Sequence, residues 1–291
     1  MPEIKNHPPG AFCWAEVGTV DAPRTKEFYA KLFGWTYDDQ PAGEFGTYTM
    51  IRSGGKDLGG LYELPPELMK MGLPPHWMSY IAVQSADDAC RKVQEHGGKV
   101  QQGPMDVMDV GRMAICQDPT GATFSVWEPR AHQGTAVMGE VGTPCWFELS
   151  TRDVERAQKF YVDVFGWTMR VDADQVYREM TAPGASCPMG GMMEMKPEQG
   201  QAPPHWMIYM TVDDCDAHVK RAQELGGRVY MPAMEVPKVG RFAVLADPAG
   251  AAFAVIKLAF DPTAGSHEPK KQTTAAKPKA KAKTAAKPRK K

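Results

Sequence analysis

Residues 13–37 read CWAEVGTVDAPRTKEFYAKLFGWTY, and residues 145–169 read CWFELSTRDVERAQKFYVDVFGWTM. The two stretches agree at 12 of 25 positions. In the first, Trp14 to Thr19 alternates in polarity and stops at Asp21 and Pro23, the signature of a strand. Ala22 to Phe33 then spaces Phe28, Tyr29, Leu32 and Phe33 at helical intervals, and Gly34 supplies the left-handed stop. Working outward, residues 74–129 (PPHWMSYIAV to FSVWEP) and 203–258 (PPHWMIYMTV to FAVIKL) agree at 25 of 56 positions. The offset is 132 in the first block and 129 in the second, so the first half holds three extra residues between them. A duplicated unit is the direct explanation.

Each half has finer grain. After the first helix, short strands are expected around 47–52 and 58–63. The order then recurs, with a strand at 77–83, a helix at 86–96 closed by Gly97-Gly98, and strands at 99–102, 112–117 and 123–127. Asp118-Pro119-Thr120-Gly121 and Asp247-Pro248-Ala249-Gly250 are turns, because Pro presets φ and Gly permits φ > 0. The fold class is therefore α+β, with four βαβββ modules, two per half. The domain reading is 10–130 and 143–260, joined by the small, polar linker 131–142, with a Lys/Ala/Pro-rich tail at 261–291.

The chain has 291 residues, 43% of them hydrophobic, and a formal net charge of −1. That near-zero value conceals two opposite parts. Residues 261–291 carry ten Lys/Arg and two acids, a net +8; the remaining 24 basic and 33 acidic residues give −9. An acidic body disfavours phosphate-backbone binding, whereas the tail favours it. No run of 18 apolar residues occurs and no apolar leader follows Met1, so the expectation is a cytoplasmic chain with no membrane span. Cys13, Cys90, Cys116, Cys145, Cys187 and Cys215 are widely spaced with no C-x-x-C, which fits free thiols better than a disulfide scaffold or thiolate metal site.

Four βαβββ modules, helices ending FYAKLFGW and FYVDVFGW, and the DPTGATF and DPAGAAF turns together resemble the vicinal oxygen chelate superfamily, the fold of glyoxalases, bleomycin resistance proteins and extradiol dioxygenases. The resemblance covers about 12–129 and 144–258. It implies that paired modules curl into two incomplete β-barrels, each around a cleft. Metal-using members hold a divalent ion with His and Glu at inward strand positions. Carried over residue by residue, those positions hold Trp14, Met78 and Ser125 in the first half, and Trp146, Met207 and Ala254 in the second. Glu63 and Glu194 are the only carboxylates left near a ligand position. One carboxylate does not make a divalent site, so the expectation is no metal cofactor.

Because strand side chains alternate between faces, inward Trp14, Met78 and Ser125 bring Glu16, His76, Tyr80 and Trp127 with them. The second cleft gains Glu148, His205, Tyr209 and Ile256. Glu16 with Tyr80, and Glu148 with Tyr209, are the candidate catalytic pairs: either a general base with its anchor, or a buried polar pair closing a filled barrel. His76 and His205 are either acid/base groups or rim residues bonded to backbone. Trp77 packs outside, against a helix. Arg112 and Arg241 either hold an anionic ligand or form strand-edge ion pairs. Met105, Met108, Met113, Met189, Met192, Met193 and Met195 suit an adaptable apolar lining or core filling.

The leading expectation is a small-molecule-binding protein, similar to the bleomycin resistance branch, acting as a two-domain monomer or a homodimer. The second is an enzyme, a glyoxalase-like lyase or isomerase with a displaced or metal-free site. The third is non-specific nucleic-acid contact through residues 262–291.

Overall fold

The computed structural model describes residues 3–43, 46–172, 176–197, 200 and 202–259; the tail read from the sequence lies outside the described residues. The first half runs β1 (Phe12–Thr19), α1 (Ala22–Phe33), β2 (Thr36–Pro41), β3 (Thr47–Ser53), β4 (Lys56–Glu63), a short α2 (Pro66–Lys70), β5 (His76–Ala82), α3 (Ala86–Glu95), β6 (Lys99–Val107), β7 (Gly111–Gln117) and β8 (Thr123–Pro129). The second runs β9 (Pro144–Thr151), α4 (Val154–Phe165), β10 (Thr168–Val171), β11 (Tyr177–Thr181), β12 (Gly190–Glu194), β13 (His205–Thr211), α5 (Cys215–Glu224), β14 (Arg228–Val236), β15 (Gly240–Ala246) and β16 (Ala252–Leu258).

Each half forms one unclosed eight-stranded sheet. The orders are β2-β3-β4-β1-β5-β8-β7-β6 and β10-β11-β12-β9-β13-β16-β15-β14. Modules thus pair within a half. Their seam is the antiparallel β1–β5 contact, where Glu16 lies opposite Met78 and Trp14 opposite Tyr80; β9–β13 repeats it with Glu148 opposite Met207 and Trp146 opposite Tyr209. Edge strand β2 is absent from the sequence reading. Its residues, TYDDQP, are mostly exposed and paired on one side only, so nothing in their polarity alternates.

The long helices behave as read, whereas the short α2 is absent from the sequence reading. Asp21 caps α1 through Arg24 N, and Gly34 ends it at φ 76°; Asp153 and Gly166 do the same for α4. The tryptophan after each glycine ties the halves together. Trp35 donates its indole N–H to Gly142 O, and Trp167 donates to Gly10 O, each at 2.7 Å.

The helix-bearing faces of both sheets share one apolar core. A β-bulge between Phe12 and Trp14 turns Phe12 into that core while Trp14 faces the cleft. Phe12 stacks on Phe147 of the other half, with centroids 4.0 Å apart. Phe28 of α1 meets Phe253 of β16, and Phe124 of β8 meets Phe160 of α4. The DPTG turn reaches across too. Asp118 Oδ1 accepts the amides of Thr120, Gly121 and Ala122, while Oδ2 accepts the Tyr161 hydroxyl at 3.1 Å. Trp206 donates to that same hydroxyl, and Trp77 donates to Tyr29 at the matching place. Trp77 therefore packs on the helix side. Each sheet's other face, the cleft face that the superfamily resemblance implies, is turned away from this core and carries its own smaller apolar cluster. Among the described residues, no helix is long and apolar enough to cross a membrane.

Candidate functional site

The first cleft is built on the β1–β5 seam. Glu16 projects from the middle of β1 and accepts two phenolic hydroxyls. Tyr80, from β5, donates to Oε1 at 2.6 Å. Tyr48, from β3, donates to Oε2 at 2.8 Å and itself accepts the Trp14 indole N–H at 3.0 Å. The second cleft repeats the chain of donors. Trp146 gives its N–H to Tyr177 at 2.8 Å, Tyr177 donates to Glu148 Oε2 at 2.9 Å, and Tyr209 donates to Oε1 at 2.8 Å. The sequence reading placed Glu16 with Tyr80 and Glu148 with Tyr209, and the structure brings both pairs together. It missed Tyr48 and Tyr177, which come from β3 and β11, the next strand but one. To reach the carboxylate they cross an intervening strand at Gly60 and Gly191. Any Cβ there would collide with the phenol, at 1.9 Å from Tyr48 Oη and 2.3 Å from Tyr177 Oη. A Tyr in one strand and a Gly in the next was the available signal.

Burial pushes both glutamates above the usual carboxylate range, against the opposing pull of the phenol hydrogen bonds. The tyrosines are pushed well above the usual phenol value by burial first and by the facing carboxylate second. Each site is therefore a buried carboxyl that is harder to ionise than in water, flanked by phenols that remain protonated donors.

Around this centre, Trp14, Met78, Tyr80 and Trp127 form one apolar cluster, joined by Met50, Met113 and Ile115. Met207, Tyr209, Ala254 and Ile256 form its counterpart, with Trp146 and Phe242 packed against them. Ser125 lies opposite Tyr80 on the parallel β5–β8 pair, fully buried, and its Oγ has no partner. The linker adds a roof to the first cleft that the sequence did not announce. The His132 ring meets Trp14 edge-on at 4.6 Å, and its carbonyl accepts the Trp127 indole N–H at 3.0 Å. His132 Nε2 is buried without a partner, and burial holds this imidazole below its usual value.

His76 and His205 stand at the rims, each with Nδ1 on the carbonyl two residues back, Pro74 and Pro203, at 2.9 Å. Since a carbonyl only accepts, Nδ1 is the donor in each of these bonds. Burial holds His76 below its usual value.

Arg112 and Arg241 are corrections. They lie on the helix side of their strands, as Arg112 pairs with Glu128 while its neighbour Met113 pairs with cleft-facing Trp127. Arg112 is bidentate to Asp87 at 2.8 and 3.1 Å, and Arg241 is bidentate to Asp216 at 2.7 and 2.8 Å. Neither faces a cleft ligand. Glu63 and Glu194 are corrected likewise. Glu63 pairs with Thr19 on the face opposite Glu16, and its Oε1 accepts the Ala22 amide at 3.3 Å. Glu194 pairs with Thr151 and is exposed.

A divalent metal at the superfamily position would meet Trp14, Met78 and Ser125, or Trp146, Met207 and Ala254. The one hard donor beside each set, Glu16 or Glu148, already has both oxygens engaged by phenols. Among the described residues no three His, Cys, Asp or Glu converge to hold a metal. The donor set does not fit such an ion.

Comparison with known proteins agrees with the architecture. The chain is 40% identical over 261 residues to the putative glyoxylase CFP32 of Mycobacterium tuberculosis, a match spanning 88% of this chain and 98% of that one. It is 37% identical over 263 residues to the anthracycline biosynthesis protein DauV of Streptomyces sp., spanning 86% and 94%. Among solved structures, the Mn(II)-bound glyoxalase from Novosphingobium aromaticivorans shares the fold with a TM-score of 0.59 at 16% identity, over 86% of this chain and 82% of that one. The family model described as Glyoxalase/Bleomycin resistance protein/Dioxygenase superfamily matches twice, at residues 12–126 and 144–255. The chain belongs to this superfamily, as two copies of its domain in tandem.

Proposed function

We propose that this protein binds a small, planar, oxygen-bearing aromatic molecule in its clefts without a divalent metal. The observation that carries the reading is the Trp–Tyr–Glu–Tyr chain, built twice around a buried carboxyl where the superfamily's metal chemistry would lie. Indole and phenol faces supply apolar walls, and the buried carboxyl with its phenols offers hydrogen-bonding groups to a ligand hydroxyl or carbonyl. The match to an anthracycline biosynthesis protein supports an aromatic polyketide as the first probe. The test is titration with an anthracycline-type anthraquinone, followed by tryptophan fluorescence and by heating with and without ligand. Saturable quenching with a raised melting temperature, unchanged by chelator, is the expected result. Binding that vanishes on metal removal overturns the metal-free reading.

A second reading, acid–base catalysis by Glu16 or Glu148, is favoured by the raised carboxyls. It expects Glu16→Gln with Glu148→Gln to abolish turnover while binding persists. Contact between residues 262–291 and nucleic acid is a separate proposal resting on their charge. It expects salt-dependent DNA retention that disappears when those residues are removed.

A further inference from the structure

On the helix side, away from both cleft faces, a solvent-facing cavity of about 260 Å³ opens where the C-terminal end of α3, the DPTG turn and the outer face of α4 meet. It therefore lies between the halves. Phe160, itself 2% exposed, and Pro119 supply its apolar lining. Its two acids are already answered. Glu95 accepts two bonds from Arg91, at 2.9 and 3.1 Å. Asp163 accepts Lys159 at 2.6 Å, and His96 Nδ1 lies 3.3 Å from the same oxygen. Lys159 holds that carboxyl below the usual range. Arg156 is the exception. Its backbone N–H is taken by the Asp153 cap, but its guanidinium makes no hydrogen bond or ion pair among the described residues.

The pseudo-symmetric groove on the other side is built differently. Pro248, Phe28, Arg24 and Glu224 repeat Pro119, Phe160, Arg156 and Glu95, but Leu225 replaces His96, and Glu27 and Lys31 replace Lys159 and Asp163. There the arginine folds inward: Arg24 Nη2 comes within 3.4 Å of where a Cβ on Gly226 would stand. Over the matching Gly97, only Pro119 comes within 4 Å. One arginine covers its groove and the other is held clear of it. With Glu95 held by Arg91 and Asp163 by Lys159, the Arg156 charge is the one left unanswered.

We propose that this cavity binds a small aromatic carboxylate, with the carboxylate on the Arg156 guanidinium and the ring against Phe160 and Pro119. The planar fork of an arginine matches the two oxygens of a carboxylate. One unanswered cation beside two acids suits a monoanion better than a doubly charged phosphate, which those acids repel more strongly. At about 260 Å³ the space falls below the range of drug-sized ligands and suits a single ring. Arg156 belongs to the second half, and Glu95, His96 and Pro119 belong to the first, so the ligand bridges the two.

The test is calorimetric titration of the full chain with benzoate, with inorganic phosphate as the comparison. Saturable benzoate binding, tighter than that of phosphate, is expected. Arg156→Gln should weaken it about tenfold or more, the size of a lost hydrogen-bonded charge. Arg24→Gln, in the other groove, should leave it unchanged. Both arginines are exposed, so both variants should melt like the wild type. Absence of saturable benzoate binding, equal binding by the wild type and Arg156→Gln, equal loss in both arginine variants, or a preference for phosphate each overturns the proposal.

Discussion

Gly60 lies directly opposite Glu16 across the parallel β1–β4 pair, and its missing side chain is the passage through which Tyr48 reaches the carboxylate. The same arrangement joins Gly191 and Glu148 beneath Tyr177. A polar centre made from three strands thus depends on a residue that contributes no atoms to it.

Gly60→Ala should displace the Tyr48 ring and break its bond to Glu16, costing about 1–3 kcal/mol through overpacking and a lost buried hydrogen bond. In Tyr48→Phe, which lacks the clashing hydroxyl, Gly60→Ala should cost less. Urea unfolding of the two single variants and the double variant checks this; strict additivity would show that Gly60 and Tyr48 do not communicate.

The glutamates give stability a particular pH dependence. Their folded-state values lie above the ordinary 4.5, so the folded chain binds more protons than the unfolded chain above that pH. Their contribution is fully present below 4.5 and is lost as pH rises through the raised folded value. Glu16→Gln with Glu148→Gln should remove this loss. The expected result is a smaller decline in unfolding free energy between acidic and neutral pH than in the wild type, measured by urea denaturation across that range. An unchanged profile would mean that the carboxyls ionise in the fold as easily as in water.

His132 acts with the opposite sign. Its folded value lies below the ordinary 6.5, so the unfolded chain takes up more protons as pH falls beneath 6.5, and stability present above that pH is lost through the lowered folded value. His132→Phe keeps a ring against Trp14 and removes the unpartnered Nε2. It should change stability at pH 8 by less than about 1 kcal/mol and make the protein more resistant to acid unfolding. Parallel melts at pH 8 and pH 5 check this.

Tyr161→Phe should leave the Trp206 N–H and Asp118 Oδ2 without their shared hydroxyl, costing roughly 1–3 kcal/mol. Because the bond crosses between halves within one core, unfolding should remain a single transition by calorimetry. A second, separate transition would show that the halves melt independently.

Much of this architecture is legible in the sequence. The FGW segments announce a helix stop, and the DP-x-G segments announce a turn, because Gly and Pro act through their own backbone torsions. Once the superfamily resemblance sets Trp14 and Met78 inward, Glu16 and Tyr80 follow by strand alternation. What stays hidden depends on contacts between segments distant in the chain. Nothing local marks Tyr48 as reaching over β4, Asp118 as receiving a tyrosine from the other half, or His132 as a roof. Arg112 and Arg241 were legible as charged strand residues, but the choice between ligand and ion pair was settled by where the first turns of α3 and α5 place Asp87 and Asp216.

The shared core also sorts the residues by freedom to diverge. Tyr29 and Tyr161, Trp77 and Trp206, Asp118 and Asp247, and Phe124 and Phe253 all hold the inner faces together, and each pair is identical. On the outward bowls the Trp–Tyr–Glu–Tyr centres repeat, but residues beside them differ: Ser125 stands against Ala254, Trp127 against Ile256, and, paired with Gly18 and Ser150, Tyr62 stands against Met193. The chain thus repeats its core and its buried polar centres and varies what surrounds those centres. The surroundings of the two centres can therefore diverge separately without disturbing the inner faces that hold the halves together.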